Sequence, residues 1–281
     1  MALIEKLNAI GDAIRSKTGK EDKLTLDDMV TEIEGIAVGG DNDIEDGLVD
    51  GTITEYYNDR VTSLGSFAFG YNRNLEMVNL PNVETIGDFA FQQCSKLKTA
   101  YIPKLKTKGD GSGACFSYCT SLESVDFPLL NVYISRLFEY CSNLKNVNLP
   151  LLPGLGANMF NTCIALKEVY FPSVTIAYSN ACTNCTSLEI VIFDSKVGFI
   201  RQTIFNNCTS LTALVLRNEE ISTLSYTNVF QGTPIEAGTG YIYVPKALIE
   251  DYKVATNWIN FAEQFRAIED YPEICGGAEN G

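Results

Sequence analysis

The sequence predicts an α+β solenoid, a coil of short parallel strands with helices at both ends. Three observations predict it: a motif recurs every 22 to 25 residues, an apolar residue opens each copy, and a proline follows the strand-like part of most copies. A unit of this length cannot bury a hydrophobic face alone, so neighbouring units must stack around one continuous core.

The repeat units begin at leucines of nearly constant spacing. Successive starts lie 22, 25, 22, 22, 22 and 23 residues apart, at Leu75, Leu97, Leu122, Leu144, Leu166, Leu188 and Leu211. A degenerate unit precedes them from Ile53, and Tyr241 to Pro245 repeats the strand and proline once more. A leucine frame with a period in the twenties is typical of leucine-rich repeats, which form a right-handed coil around a parallel sheet.

Each unit opens with an L-x-x-V-x-L-P pattern. In the fourth unit Val147 and Leu149 alternate with polar residues, which predicts a strand that turns both of them inward. Pro150 ends the strand because proline cannot donate to a sheet ladder. With about 4.8 Å per strand, seven to nine coils give a solenoid roughly 35 to 45 Å long.

The second half of each unit predicts two further buried columns. Phenylalanine recurs in one, with Cys182 in the place of one ring, at Phe69, Phe91, Phe116, Phe138, Phe160 and Phe205. Cysteine follows three residues later, at Cys94, Cys119, Cys141, Cys163, Cys185 and Cys208. Because these cysteines lie one coil apart and not in paired C-x-x-C sets, we expect reduced thiols that serve as small core residues.

Composition excludes several classes of function. The 281 residues include 21 basic and 35 acidic side chains, a formal net charge of -14, and no histidine. A negative surface repels phosphate backbones, so we expect no nucleic-acid partner. Without histidine, the histidine-dependent nucleophiles and imidazole metal sites are excluded. Repeated units offer no single convergent polar site, so the sequence predicts neither an enzyme nor a cofactor or metal.

The chain termini predict separate segments. Residues 1–38 have the apolar spacing of a helical hairpin, for attachment or oligomerisation or as a cap, and residues 39–52 form a Gly- and acid-rich flexible linker. The solenoid is expected over 53–234, and a C-terminal strand with a helical cap over 235–281. Leu248, Tyr252, Trp258, Phe261, Phe265 and Ile268 are expected to cover the last coil.

The N-terminus bears on localisation. It has charges at Glu5 and Lys6 and lacks the apolar region of a secretory signal, so we expect synthesis in the bacterial cytoplasm without Sec export. No stretch approaches the roughly 20 apolar residues of a membrane helix, and we expect no membrane insertion.

Three segments carry a family resemblance. The strand-proline motif, the segment TIGDFAFQQC from Thr85 to Cys94, and the ending from Tyr243 to Trp258 resemble the BspA-like leucine-rich repeats of bacterial surface and gut-associated proteins. Residues 7–29 are similar to N-terminal segments of phage and prophage tail-associated proteins of gut bacteria. These resemblances imply a binding protein, either a virion-associated tail adhesin or a bacterial cell-surface adhesin or interaction module.

Recognition is expected on the concave face of the sheet, as in other solenoids. One column of exposed strand positions reads Asn79, Tyr101, Asp126, Asn148, Tyr170, Ile192 and Val215. Aromatic faces beside amide and carboxylate groups suit a host-surface glycan or protein. The predicted ligand-binding residues are Tyr101, Asp126, Asn148, Tyr170, Lys145 and Lys167. A homo-oligomer or a tail protein is the predicted partner of residues 1–38.

Overall fold

The computed structural model describes residues 43–44, 52–109, 111, 113–194 and 196–275. All of them belong to the unit formed by residues 42–281. The helical hairpin predicted for residues 1–38 lies outside the described residues. Within the predicted linker, Asp43–Ile44 form a strand that pairs with Ser63–Leu64, so strand pairing begins inside the range assigned to the linker.

The described chain contains eighteen short strands, which are joined by turns. In chain order they are β1 (Asp43–Ile44), β2 (Glu55–Tyr57), β3 (Ser63–Leu64), β4 (Met77–Asn79), β5 (Thr85–Ile86), β6 (Thr99–Tyr101), β7 (Thr107–Lys108), β8 (Ser124–Asp126), β9 (Asn146–Asn148), β10 (Gly154–Leu155), β11 (Glu168–Phe171), β12 (Ile176–Ala177), β13 (Ile190–Phe193), β14 (Phe199–Ile200), β15 (Ala213–Leu216), β16 (Thr223–Leu224), β17 (Tyr241–Val244) and β18 (Phe265–Ala267). Every pairing among them is parallel and joins successive turns, which confirms the predicted solenoid.

The strands form two columns. We call the first the front sheet; it consists of β2–β4–β6, β8–β9 and β11–β13–β15–β17–β18. The second column consists of β1–β3–β5–β7 and β10–β12–β14–β16. Among the described residues, no strand pairing joins β6 to β8 or β9 to β11, so the front sheet is interrupted twice.

The core follows the repeat columns. The opening leucines, the phenylalanines and the cysteines of the repeat are buried. Phe69, Phe91 and Phe116 stack with ring centroids 4.8 and 4.9 Å apart. Where Cys182 replaces a ring, Phe171 and Phe193 of the front sheet continue the stack, because Phe160 contacts Phe171 and Phe171 contacts Phe193.

The cysteine column forms a ladder of hydrogen bonds. Each of its six thiols donates to the carbonyl of the phenylalanine-column residue on the preceding turn, at 3.0 to 3.1 Å, as Cys94 Sγ does to Phe69 O and Cys208 Sγ to Cys182 O. The eight cysteines whose side chains are described are free and buried, which confirms the predicted thiols. Burial raises the pKa of Cys94 and Cys115 to about 12.

Two positions in each turn place non-glycine residues in the left-handed region of the backbone. In the first two turns these are Phe67, Tyr71, Phe89 and Gln93, with φ between 57° and 64°. Such a conformation costs about 1 kcal/mol or more for an ordinary residue. The stacking of turns holds it in place, because Phe67 N donates to Asp88 O and Tyr71 N to Gln92 O on the next turn.

The C-terminal cap closes the last coil. It contains the helices α1 (Ile249–Val254) and α2 (Pro272–Cys275) and the 3-10 segments Lys246–Leu248, Trp258–Gln264 and Ile268–Asp270. Trp258 is 1% exposed and donates its indole N–H to Ser222 O at 2.7 Å. Phe265 was expected in a helix, but it opens β18, which pairs with β17 and adds a tenth strand to the front sheet.

Candidate functional site

The outer face of the front sheet, which points away from the core, changes character along the solenoid. In the first strands it carries exposed side chains, with Tyr57 63% and Tyr101 54% exposed. Tyr57, Asn79 and Tyr101 lie in register on β2, β4 and β6. This part of the face is therefore open among the described residues.

The last strands carry an apolar outer face that the chain covers itself. Ile192, Val215 and Tyr243 are buried in a second hydrophobic cluster, separate from the main core. Ile268, Tyr271 and Ile274 of the C-terminal segment pack against it, and the rings of Tyr243 and Tyr271 meet edge to face at 5.4 Å. Ile192 and Val215 were predicted to be exposed on the recognition face; that prediction is wrong because the C-terminal segment 268–275 covers them.

Between these two parts lies a cavity of about 1100 Å³. It opens where β9 and β11 are unpaired, and Val147 on β9 is half-buried there, whereas the equivalent Val125 and Val169 are buried. The two turns remain joined beyond the gap, since Ser173 Oγ donates to Pro150 O at 2.7 Å and β10 pairs with β12. The opening is thus local to the front sheet. We call this space the central cavity.

Polar side chains line the central cavity. The lining comprises Ser124, Val125, Asp126, Lys145, Asn146, Val147, Asn148, Leu149, Pro150, Ala165, Lys167, Glu168, Tyr170, Pro172 and Ser187. Asn148 Nδ2 donates to Asp126 Oδ1 at 2.8 Å, and Lys145 Nζ lies 3.3 Å from a carboxylate oxygen of Glu123. The site therefore combines fixed amide and carboxylate groups with an apolar floor.

A hydrogen-bonded triad holds one wall of the cavity. The Tyr170 hydroxyl donates to Asp194 Oδ2 at 2.7 Å, and Arg217 Nη1 lies 3.0 Å from Asp194 Oδ1. Partial burial raises the pKa of Asp194, but the hydrogen bonds from Tyr170 and Arg217 and the Arg217 charge outweigh it, and the pKa is lowered overall. Tyr170 also packs against the covered apolar cluster, so it connects the cavity with that region.

The structure brings together five of the six residues predicted to bind a ligand. Asp126, Asn148, Tyr170, Lys145 and Lys167 all line the central cavity. Tyr101 is the exception; it lies on β6, the strand before β8, beyond the other interruption of the sheet. Ser124, Asn146 and Glu168 also line the cavity but are not among the predicted residues. These occupy the neighbouring outward position of the same strands, so the alternation of the strand pattern was an available signal.

The side chains that line the central cavity are suited to binding a polar ligand. Amide, hydroxyl, ammonium and carboxylate groups on an open sheet face can hydrogen-bond a polar ligand, while the prolines and Val147 supply apolar contact. Among the described residues, no group of three or more cysteines, aspartates and glutamates is placed to hold a metal ion. No helix in the described part of the chain is long and apolar enough to cross a bilayer.

The chain matches one family model. Residues 53–152 and 135–246 match the BspA type leucine rich repeat region, in six copies. None of the curated proteins compared with the chain matches it.

Several solved structures match the chain. A leucine rich cell surface protein from Faecalibacterium prausnitzii is 20% identical, with a TM-score of 0.47, over 68% of this chain and 60% of that chain. A leucine-rich repeat protein from Eubacterium ventriosum is also 20% identical, with a TM-score of 0.41, over 66% of this chain and 44% of that chain. A leucine-rich repeat protein from Bacteroides ovatus is 18% identical, with a TM-score of 0.25, over 80% of this chain and 87% of that chain. The chain thus spans less than two thirds of the first two proteins.

Proposed function

Since the chain belongs to the BspA type leucine rich repeat family, we propose that it is a non-enzymatic binding protein, a cell-surface adhesin or interaction module that recognises a glycan or protein ligand in the central cavity. The observation that carries the proposal is the gap between β9 and β11 and its polar lining. Its volume, about 1100 Å³, lies slightly above the usual range of ligand sites, about 300 to 1000 Å³.

The edges of the gap favour a polar ligand. Strands β9 and β11 face each other as the edges of two different sheets. Sheet edges present backbone N–H and C=O groups outside the ladder, which can bond a peptide or a sugar. Lys167 makes no ion pair with any described residue, whereas Lys98 and Lys145 in the same column pair with Glu76 and Glu123. Its ammonium group is therefore available to a ligand.

The proposal is tested by a glycan array and by binding to cultured epithelial cells. We expect retention of the labelled protein on at least one of the two surfaces. The double variant Asn148→Ala/Lys167→Ala should reduce it at least tenfold, and Lys96→Ala, which removes an exposed lysine outside the cavity, should leave it unchanged. Equal retention of all three proteins, with unchanged circular dichroism, would overturn the cavity as the recognition site.

Attachment through residues 1–38 is a second part of the proposal. It depends on the resemblance of residues 7–29 to phage and prophage tail-associated proteins, which lies outside both the described residues and the family match. Deletion of residues 1–38 should lower the oligomeric mass or abolish binding to a tail protein. Light scattering on both proteins tests the oligomer, and an unchanged mass together with unchanged partner binding would refute it.

A further inference from the structure

Two exposed tyrosines bracket an amide at the start of the outer face. Tyr57, Asn79 and Tyr101 occupy the same outward position on β2, β4 and β6, and the exposed Met77 lies beside Asn79 on β4. The adjacent charges neutralise each other, because Lys98 Nζ lies 2.8 Å from a Glu76 carboxylate oxygen. The Glu76–Lys98 pair is therefore neutral, and with Asp59 and Glu55 near Tyr57 the patch is aromatic, polar and weakly acidic, which disfavours an anionic ligand.

We propose that Tyr57, Asn79 and Tyr101 form a second binding site, for a neutral oligosaccharide with β-1,4 linkages. Tyr57 and Tyr101 would each stack on a sugar ring, and the ring between them would lie over Asn79. The unpaired junction between β6 and β8 separates this patch from the central cavity. The inference does not depend on the function proposed for the cavity.

The spacing of the strands supports a linear sugar chain. Strands of a sheet lie about 4.8 Å apart, so Tyr57 and Tyr101 are separated by about 9.6 Å across β4. An extended β-1,4-linked chain advances by nearly one strand spacing per ring, and its alternate rings present the same face to one side. Two aromatic side chains two strands apart can therefore stack on alternate rings.

The amide favours a ligand with hydroxyl donors. Asn79 Oδ1 is buried and has no hydrogen-bond partner, which is costly for a carbonyl oxygen. Asn79 as a whole is partly exposed, so a rotation of its side chain can bring this oxygen to the surface, where a sugar hydroxyl can donate to it. A proline-rich peptide repeats over a similar distance, but proline has no N–H to donate.

The Tyr57 ring is positioned by a neighbour. Desolvation together with the nearby Asp59 carboxylate raises the pKa of the Tyr57 phenol, so the ring lies beside a fixed charge. A ring held in this way loses less freedom when it stacks on a ligand. The ring is 63% exposed and stacks on no other described aromatic ring, so it can stack on a ligand.

Isothermal titration of the full chain with cellohexaose and maltohexaose, which differ only in linkage, tests the proposal. We expect binding of cellohexaose and at least tenfold weaker binding of maltohexaose. Tyr57→Ala and Tyr101→Ala should each weaken cellohexaose binding about five- to tenfold, the range expected for one aromatic contact. Tyr101→Phe keeps the ring and should stay within twofold of the wild type.

The matched control is Tyr226→Ala, which removes an equally exposed tyrosine outside the front sheet and should not change the affinity. Absence of cellohexaose binding at millimolar concentration, equal affinity for maltohexaose, or equal loss in Tyr226→Ala would overturn the site. Binding of decaproline in place of the sugar, abolished by Tyr101→Ala, would overturn the saccharide assignment. If Asn148→Ala/Lys167→Ala reduces retention on cells while cellohexaose binding is unchanged, only the central cavity is affected. The two proposals can therefore fail independently.

Discussion

The outer faces of strands β2 to β9 and of strands β13 to β18 share one backbone pattern but differ in their side chains. Tyr57, Asn79 and Asn148 in the first region are at least partly exposed, whereas Ile192, Val215 and Tyr243 at the same repeat position in the second are buried. The repeat thus determines where a side chain points, and the residue at that position determines whether the chain covers it. In this chain the covered region adjoins the cap, the open region carries the proposed tyrosine site, and the central cavity lies at the junction of the two regions.

The largest expected effect comes from breaking the closed end. Trp258 is almost fully buried beside Tyr252 and Phe265, so Trp258→Ala should lower the free energy of unfolding by about 3 to 5 kcal/mol. Urea unfolding followed by circular dichroism measures it. Trp258→Phe, which keeps a ring but loses the bond to Ser222, should cost less. A loss below 1 kcal/mol for the alanine variant, or a red-shifted tryptophan emission from the intact protein, would contradict this role of the cap.

A smaller effect is expected from uncovering the apolar outer face alone. Tyr271→Ala/Ile274→Ala removes two partly buried side chains and should cost about 2 to 4 kcal/mol, because most of each is taken out of water. It should also increase the binding of a hydrophobic dye, since Ile192 and Val215 become accessible. Ile259→Ala, at an exposed position of the cap, is the control. If both variants bind the dye equally, the C-terminal segment does not cover this face.

Replacing cysteines of the buried column tests whether the two regions, which differ on their outer faces, have equivalent cores. Cys94 and Cys185 lie in the two different regions, yet each thiol donates to a phenylalanine carbonyl at 3.1 Å. Replacement of either by Val should cost about 1 kcal/mol, because the carbonyl keeps its bond from a backbone N–H. Chemical unfolding of both variants measures this. A difference of more than 1 kcal/mol between them would show that the two regions also differ in their cores.

The state of the thiols can be checked on the same samples. Because burial raises their pKa values, Cys94 and Cys115 should not react with a thiol reagent at pH 8 in the folded protein. After unfolding without reductant, nearly all nine cysteines of the chain should react. If several thiols failed to react, disulfides would be present, and the assignment of the cysteine column as reduced thiols hydrogen-bonded to carbonyls would be wrong.

The smallest effect concerns the junction of the two regions, where Asp194 binds Tyr170 and Arg217. The folded-state pKa of Asp194 lies below its usual value, so its contribution to stability is present above about pH 4 and is lost as pH falls through the folded-state pKa. Asp194→Asn should therefore cost less than about 1 kcal/mol at pH 7, and the difference from the wild type should shrink toward pH 3. Denaturant titrations at both pH values test it; a difference that grows at low pH would contradict the lowered pKa.

Features that repeat in the chain could be predicted from the sequence, and features that occur once could not. The leucine frame predicted the front sheet, and the cysteine column predicted buried free thiols, because each position is reinforced by its neighbours. The gap beside Val147 has no counterpart in the pattern, since the residues of β9 differ little from those of β8. Five of the predicted residues nevertheless line the cavity, because Asp126, Asn148 and Tyr170 share one column of the sheet and Lys145 and Lys167 share the neighbouring column.

The C-terminal segment shows a different limit. Phe265 fits the spacing of a helix, but its contact with the open edge of β17 is a long-range pairing that local periodicity does not reveal. The covering of Ile192 and Val215 also depends on residues more than 50 positions away. A signal was present, because apolar residues at nominally exposed strand positions require a cover, and Ile268, Tyr271 and Ile274 recur every three residues.

At Cys182 the stack of aromatic rings leaves the phenylalanine column and continues through Phe171 and Phe193 of the front sheet. This shift limits which repeat units can be duplicated by recombination of the gene. The unit from Leu166 to Ser187 carries its ring at Phe171 and a cysteine in the phenylalanine column, and it fits because the next unit supplies Phe193. If this unit were duplicated beside a unit whose strand ends in leucine, such as the unit from Leu75, a leucine would take the place of Phe193. The side chains around Cys182 would then leave a void. Duplications should therefore survive in the first turns, where Phe69, Phe91 and Phe116 stack directly, more readily than across this point.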